Sequence, residues 1–523
     1  MSGPAETPAV AGATGPERES AIFVDWVAVI AGALGAFMAT LDTSITNTAL
    51  PQIQGEVGAS GTEGTWIGTG YLVAEVIMIP LTAWLTRMLG LRRLLIVTTS
   101  AFVLFSILCG VSHGLAQMII GRVGQGFFGG ALIPTAQVII RTRLPLRQMP
   151  VGMSIFGIIV VLGPVLGPVI GGYLAEEVSW RWCFFLNLPV GIALVTLLSL
   201  GLPAQKADLD HLAKADWLGI VGMAIAFGCL TVVLEEGQRE RWFESSEIVY
   251  LCLASLIGFA ALLVAQKRSA KPVINLALLQ NRTFAGTSFI ALVIGAGVYG
   301  TTFVVPQFLS GIAGYDPRQA GNVMALSALP LILFMPILPR VVGRFDARLM
   351  TALGLLFFAA SCFVDIHLGP DSAGDDFTLS QIMRGIGQIL AAMPLNQVAM
   401  AAIGRENAAD GAGIYSMARN LGGSIGLALS GLFIDVRTAV HSETIREAVT
   451  ANSLLGQARL AADGLAQGID AATARLRAIS QLSHMIEKQA LVMTYNDCFW
   501  MLGILLVAIM PIVLLLRQPA PSR

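Results

Sequence analysis

Fourteen times along this chain an apolar stretch reaches the length a helix needs to cross a bilayer, from 23–46 at one end to 494–516 at the other. Hydrocarbon offers the backbone no water, so every N–H and C=O in such a stretch must be satisfied inside the chain, and stretches of this length do that as helices. The chain is therefore predicted to be an all-α membrane protein with fourteen transmembrane helices. Composition agrees: 55% of the 523 residues are hydrophobic and 12% charged, with mean hydropathy +0.74. A soluble domain is roughly 25% charged.

Lys and Arg set the expected orientation, because short cytoplasmic loops collect them. With the N-terminus inside, the inner tails and loops hold nineteen of the 32, among them Arg87, Arg92, Arg93, Arg141, Arg143 and Arg147, against four in the short outer loops, Arg181, Arg239, Arg241 and Arg318. Both termini are thus expected in the cytoplasm. Residues 1–20 are rich in Ala, Gly, Pro and Glu and contain no apolar core of a signal peptide, so they read as a disordered cytoplasmic tail. A net charge of −1 excludes a basic nucleic-acid surface, and the six cysteines are scattered without the paired spacing of a disulfide framework or metal site.

Arg122 in RVGQG and Arg384 in RGIGQ each open a Gly-rich span that carries a later proline, Pro134 and Pro394. This weak duplication suggests two parallel six-helix halves with the substrate site between them near the membrane midplane, as in many transporters. The expected organisation is a tail (1–20), a first half (21–202), a linker with two inserted helices (203–266), five helices of the second half (267–434), an outer helical loop (435–493), and a last helix with its tail (494–523). Polar residues expected to line the central cavity are Asn47, Gln125, Gln137, Asn396 and Arg419.

Asp42 stands out within LDTSITNTALP (41–51), at the end of a run that carries no charge from Trp26 to Ala39. A charge near the bilayer interior costs at least roughly 2.5 kcal/mol on insertion scales, so such groups usually face a protein interior or a wet path and often carry ions or protons. Arg122 is its natural partner, since their depths differ by about one turn at 1.5 Å per residue. Two readings stay open: a proton-handling pair, or an ion pair that pins two helices. Glu75 is the deepest acid, in YLVAEVIMIPL, with no opposite charge close in sequence. It reads either as a carboxyl that exchanges a proton as its surroundings alternate between apolar and wet, or as a permanently neutral acid bonded across helices. Proton coupling is expected on Asp42 and Glu75, with Arg122 tuning Asp42. The second half offers no equivalent, since Asp365, Asp435 and Asp497 fall at span ends where water is expected to reach them.

The fifth span contains GPVLGPVIGG, with Gly163, Gly167 and Gly171 on one helical face, Gly172 beside them, and Pro164 and Pro168 each following a glycine. Glycines let a neighbouring backbone approach, and each proline removes a donor and bends the helix. With GTWIGTGYLVAEVIMIPLTAWL (64–85), WRWCFFLNLPVG (180–191), DWLG (216–219), RNLGGSIG (419–426) and NDCFW (496–500), these stretches cover nearly the whole chain. In their order the chain resembles the major facilitator superfamily, in particular its fourteen-span drug:proton antiporter family. The resemblance implies export of drugs or other amphipathic compounds, driven by the proton gradient with no cofactor. It also implies that the glycine-proline run is the family's antiporter motif.

One loop departs from the family pattern G-x-L-a-D-r-x-G-r-r, because Arg87 occupies the acidic position. This puts in doubt the usual charge relay that latches the cytoplasmic side, and it is a trait of the EmrAB-type branch. The segment 435–493 fits that branch too. It is Ala-rich, divided near Gly464 to Gly468, and carries Leu476, Ile479, Leu482 and Ile486 at helical spacing, which reads as two amphipathic helices outside the membrane. In EmrAB-type pumps such a loop precedes the last span, and the pump works with a periplasmic adaptor (EmrA-like) and an outer-membrane channel (TolC-like). Those four apolar residues are the expected docking stripe; the alternative is a self-packed hairpin without a partner. A dedicated metabolite or siderophore exporter is the other reading of the same fold. An enzyme or receptor would need a catalytic cluster or soluble domain, and the five histidines are scattered.

Overall fold

The computed structural model describes residues 20–145, 147–205, 215–269, 272–334, 337, 341, 345–448 and 471–516. Most of the N-terminal tail, the middle of the linker and the Gly464 to Gly468 break lie outside the described residues. Within them every regular element is helical.

We number the long helices in chain order, counting one interrupted by a turn as a single helix. The first half comprises α1 (Phe23–Val57), α2 (Trp66–Leu89), α3 (Leu91–Gly110), α4 (Leu115–Gly129 continued by Leu132–Arg143), α5 (Met149–Tyr173) and α6 (Asn187–Gly201). Next come α7 (Trp217–Glu236) and α8 (Ser246–Arg268). The second half comprises α9 (Arg282–Gly311), α10 (Pro317–Ala325 and Ala328–Phe334), α11 (Ala347–Val364), α12 (Thr378–Ala401), α13 (Ala408–Ala448) and α14 (Ala471–Ala508).

Twelve helices among the described residues are long and apolar enough to cross a membrane. The two expected spans outside that number fall short for different reasons. α10 is broken after Ala325, and its described pieces, Pro317–Ala325 (9 residues) and Ala328–Phe334 (7 residues), are each too short to cross a bilayer. α12 has the length, 24 residues, but carries Gln381, Arg384, Gln388, Asn396 and Gln397.

Small residues set how closely the helices approach. The glycine face of α5 lies on α1: a side chain at Gly163 would strike Thr40 and Leu41, at Gly167 Ser44, and at Gly171 the backbone of Ile45, whereas Gly172 faces open space. Pro168 cannot donate to the carbonyl of Pro164 four residues earlier, and Ser44 Oγ of α1 donates to that carbonyl instead, at 3.3 Å. Gly126 and Gly130 of α4 likewise admit the backbone of α2 at Tyr71 and Glu75. α7 and α8 form a hairpin through Gly222 and Gly258, each of which meets the other helix's backbone. α7 also packs against α2 of the first half and α13 of the second.

Both ends of the described chain lie on one face of the molecule. The Ala21 N–H donates to Gln148 in the α4–α5 turn, and Arg348 at the start of α11 donates to the Leu516 carbonyl. We call this the terminal face and its opposite the far face. At the far face α13 and α14 run on as helices beyond the spans expected from sequence. Their extensions are tied together by Asp497 with Arg437 (2.5 Å) and His441 (2.8 Å), and by Thr438 with Thr494 (3.1 Å). The described parts of the two helices expected between 435 and 493, residues 435–448 and 471–493, are thus continuations of their flanking spans.

Candidate functional site

The Asp42 carboxylate lies 1% exposed between α1, α4 and α6 and accepts from three groups. Arg122 Nη1 donates to Oδ2 at 2.6 Å, while Gln125 Nε2 and Asn187 Nδ2 donate to Oδ1 at 2.9 and 2.6 Å. Arg122, also 1% exposed, further donates from Nε to the Ile67 carbonyl (3.2 Å) and sits 4.3 Å over the ring of Tyr71. Asn187 reaches on to Ser106 Oγ at 2.9 Å, and that hydroxyl donates to the Phe184 carbonyl at 2.8 Å. A buried ion pair is tolerable when its remaining lone pairs and protons are used, and here they are. The depth arithmetic that pairs Asp42 with Arg122 is realised; Asn187 and Ser106 were missed. A signal was present, since Asn187 is a lone amide in the apolar run FFLNLPVG and such a group requires partners.

Glu75 on α2 is also buried, 8% exposed, yet none of the hydrogen bonds among the described residues reaches its carboxyl. The charges of Arg122, from its own half, and Arg419, from α13 of the other half, act on it. Glu75 therefore faces the seam between halves without a fixed donor. Arg419 is half-buried and likewise makes no hydrogen bond among the described residues.

The other expected cavity residues scatter. Gln125 is fully buried inside the Asp42 network, with no surface left for a ligand, and Asn47 is exposed. Gln137 (2%) and Asn396 (8%) are buried in the terminal-face portions of α4 and α12, each with its side-chain oxygen lacking a protein partner. Of the expected docking stripe, Ile486 is turned inward at 9% exposure, Leu482 is half-buried and Ile479 is 50% exposed. The side chain of Leu476 lies outside the described residues.

The second half buries an acid after all. Asp365 is 0% exposed, because the turn Asp365–His367 that ends α11 tucks under α12, where Arg384 Nη2 donates to it at 2.8 Å. The matched arginines Arg122 and Arg384 are thus both paired with a buried aspartate, though the aspartates come from α1 and from the end of α11.

The halves meet at the terminal face through charge. Arg87, at the position where sequence put a latch in doubt, bonds Asp410 at the start of α13 at 2.5 Å. Gly90, with φ of 78°, makes the tight α2–α3 turn that holds Arg87 there, a conformation that suits glycine. Arg141 of α4 donates to the Ile403 carbonyl at 3.3 Å, and Gly413 of α13 lies against Ile79 and Pro80 of α2. Towards the far face, α5 and α10 border a cavity of about 430 Å³ lined by residues that include Tyr173, Glu177, Arg318 and Asn322.

The sequence model of the Major Facilitator Superfamily matches residues 32–427. The chain belongs to that superfamily. It is accordingly a multi-pass membrane transporter. Its relatives include the colistin resistance protein EmrB of Acinetobacter baumannii, 32% identical over 92% of this chain and 94% of that protein. The multidrug export protein EmrB of Escherichia coli is 28% identical over 94% and 95%. The fatty acid resistance protein FarB of Neisseria gonorrhoeae is 28% identical over 95% and 97%. The resemblance to the EmrAB-type branch is borne out by these relatives. Among solved structures, the human organic anion transporter MFSD10 superposes with a TM-score of 0.60 at 13% identity, covering 92% of this chain and 99% of that one. The proton:xylose symporter XylE also gives 0.60, at 10% identity over 94% and 96%. Both carry the same major facilitator fold.

Proposed function

We propose that this chain exports drugs or other amphipathic small molecules in exchange for protons, working as the inner-membrane pump of an EmrAB–TolC type assembly. The terminal face then lies in the cytoplasm, in keeping with the Lys and Arg distribution, and α10 and α12 complete fourteen spans. α12 turns its polar residues to neighbouring helices; Gln381, Arg384 and Asn396 are all at most 8% exposed.

The observation that carries proton exchange is the contrast between the two acids of the first half. Asp42 is held by three donors, whereas Glu75 is also buried and has none among the described residues. A group that must take up and release a proton as the halves rock needs surroundings that change with conformation, and a carboxyl at the seam meets that requirement. Glu75 is the exchanging carboxyl in this reading. The Asp42–Arg122 pair is the fixed charge beside it, with Arg122 acting on both acids.

The adaptor proposal draws on α13, whose 41 residues extend roughly 60 Å at 1.5 Å per residue, about twice the thickness of a hydrocarbon core. Its far end and that of α14 project as a helical arm, a form a periplasmic partner can grip. Transport in proteoliposomes tests the core of the proposal. Glu75→Gln should still exchange labelled substrate across the membrane at equilibrium, but lose accumulation driven by a pH gradient. Wild-type accumulation by Glu75→Gln would place the proton elsewhere.

A further inference from the structure

Helix α7 belongs to neither six-helix half, yet its far end is bonded to both. On the first half it lies along one face of α2. Gly228 sits against Ile77 and Val73, and further along α7 Glu236 accepts from Thr69 Oγ1 at 2.6 Å and from Thr65 Oγ1 at 3.3 Å. Thr69, Val73 and Ile77 are spaced by four, so the contact follows a single stripe of α2 for about 12 Å at 1.5 Å per residue. Arg239, just past the end of α7, completes the junction by bonding Glu236 at 2.9 Å and also Thr65. Glu236 is 3% exposed and holds all three of these donors, which fixes this end of α7 to the first half.

Towards α13 of the second half the attachment is slighter. Ser424 Oγ donates to Glu235 at 2.8 Å, and Gln238 Nε2 donates to Asp435 Oδ2 at 3.1 Å. Gly431 of α13 leaves room for Gln238, since a side chain at that position would strike it. These are two single hydrogen bonds, one part-buried and one exposed. At the terminal face the same two helices, α2 and α13, meet directly through Arg87 with Asp410 and through Gly413 with Ile79 and Pro80. A rigid-body rock that parts them there brings the far ends of the halves together. Whatever is bonded to both helices at the far end must then give up one set of bonds, and the set to α13 is the smaller and the more exposed.

We propose that the far end of α7 is a wedge between α2 and α13 that travels with the first half and favours the state closed at the terminal face. Glu236 anchors the wedge. Glu235 and Gln238 are positioning residues, whose bonds to Ser424 and Asp435 are present in that state and break as the terminal face opens. The inserted helix thereby sets the balance between the two states of the transport cycle, whatever compound is carried.

Thiol labelling of the purified full-length protein in detergent tests this, in a background with the six native cysteines replaced. Gly413→Cys is buried in the α2–α13 contact at the terminal face. It should react with a maleimide at least about fivefold faster when Ser424→Ala and Gln238→Ala are introduced together, since each removes one hydrogen bond from the closed state. Cys109, restored singly and 0% exposed inside the first half, should keep its original rate in the same double variant, because rocking leaves the interior of each half packed. Unchanged labelling at 413 overturns the proposal. So does a rise of equal size at 413 and 109, which would mean a loosened fold instead of a shifted balance. Should the double variant not fold, Ser424→Ala alone decides by the same two rates, with a rise of about two- to threefold expected at 413.

Discussion

Reversing the charge of Arg87 should open the terminal face, and reversing its partner should close it again. The pair spans the two halves at 2.5 Å, with the Asp410 side chain 5% exposed and that of Arg87 38% exposed. Two unit charges at about 4 Å interact by about 4 kcal/mol at an effective dielectric constant of 20. The exposure of Arg87 lets water screen much of this, so about 1–2 kcal/mol is a reasonable share for the closed state. Arg87→Asp removes that attraction and sets two acids against each other, shifting the ratio of open to closed molecules by about 5–30-fold. Gly413 reports the shift. It is buried against Ile79 and Pro80, and an added Cβ would sit 3.4 Å from the Ile79 carbonyl, an ordinary contact. In a background with the six native cysteines replaced, labelling of Gly413→Cys by an impermeant maleimide at the terminal face should accelerate by that factor in Arg87→Asp. It should return towards the original rate in Arg87→Asp with Asp410→Arg. Unchanged labelling in the single variant, or no recovery in the double, would show that the contact latches nothing.

Two further outcomes are expected. Asp42→Asn strands the Arg122 charge in a 1% exposed site and sets an amide N–H₂ among donors, so it should cost about 3–5 kcal/mol, seen as a lower melting temperature in detergent; a melting temperature equal to wild type would contradict the pinning role. Serine at Ile479 and Leu482, which keep exposed surface on the α14 arm, should abolish pull-down of an EmrA-like adaptor without slowing pH-driven uptake, and a cysteine at 479 should label only from outside intact cells. Retained pull-down, or labelling from inside alone, would count against the proposed arm and its orientation respectively.

How far the sequence could be read follows from what each residue's partners depend on. The helical architecture was legible because apolar length is a local property, and the glycine face of α5 because residues four apart share a side of a helix. Arg122 and Asp42 could be matched because depth in a bilayer converts to residue counts. Partners set by rotation about a helix axis were not legible: Asn187 and Gln125 reach Asp42 from two different helices, and nothing local fixes which way either points. Span ends were the weakest place. Asp365, expected in water, is 0% exposed because a single turn folds it under Arg384, and Glu235 and Glu236 closed α7 unnoticed while facing opposite halves.

The two acids of the first half show why depth alone does not assign a role. Asp42 and Glu75 are both buried within an apolar span, and the sequence reading puts proton coupling on both, with Arg122 tuning Asp42. The same arginine, joined by two amides, gives both oxygens of Asp42 a donor, so losing that carboxylate would strand a cation and leave three donors short of an acceptor. Glu75 holds no donor among the described residues and stands where charges from both halves meet. The number of donors an acid holds, more than how deep it lies, is what separates Asp42, held between three helices, from Glu75, the carboxyl on which the proposed proton exchange draws.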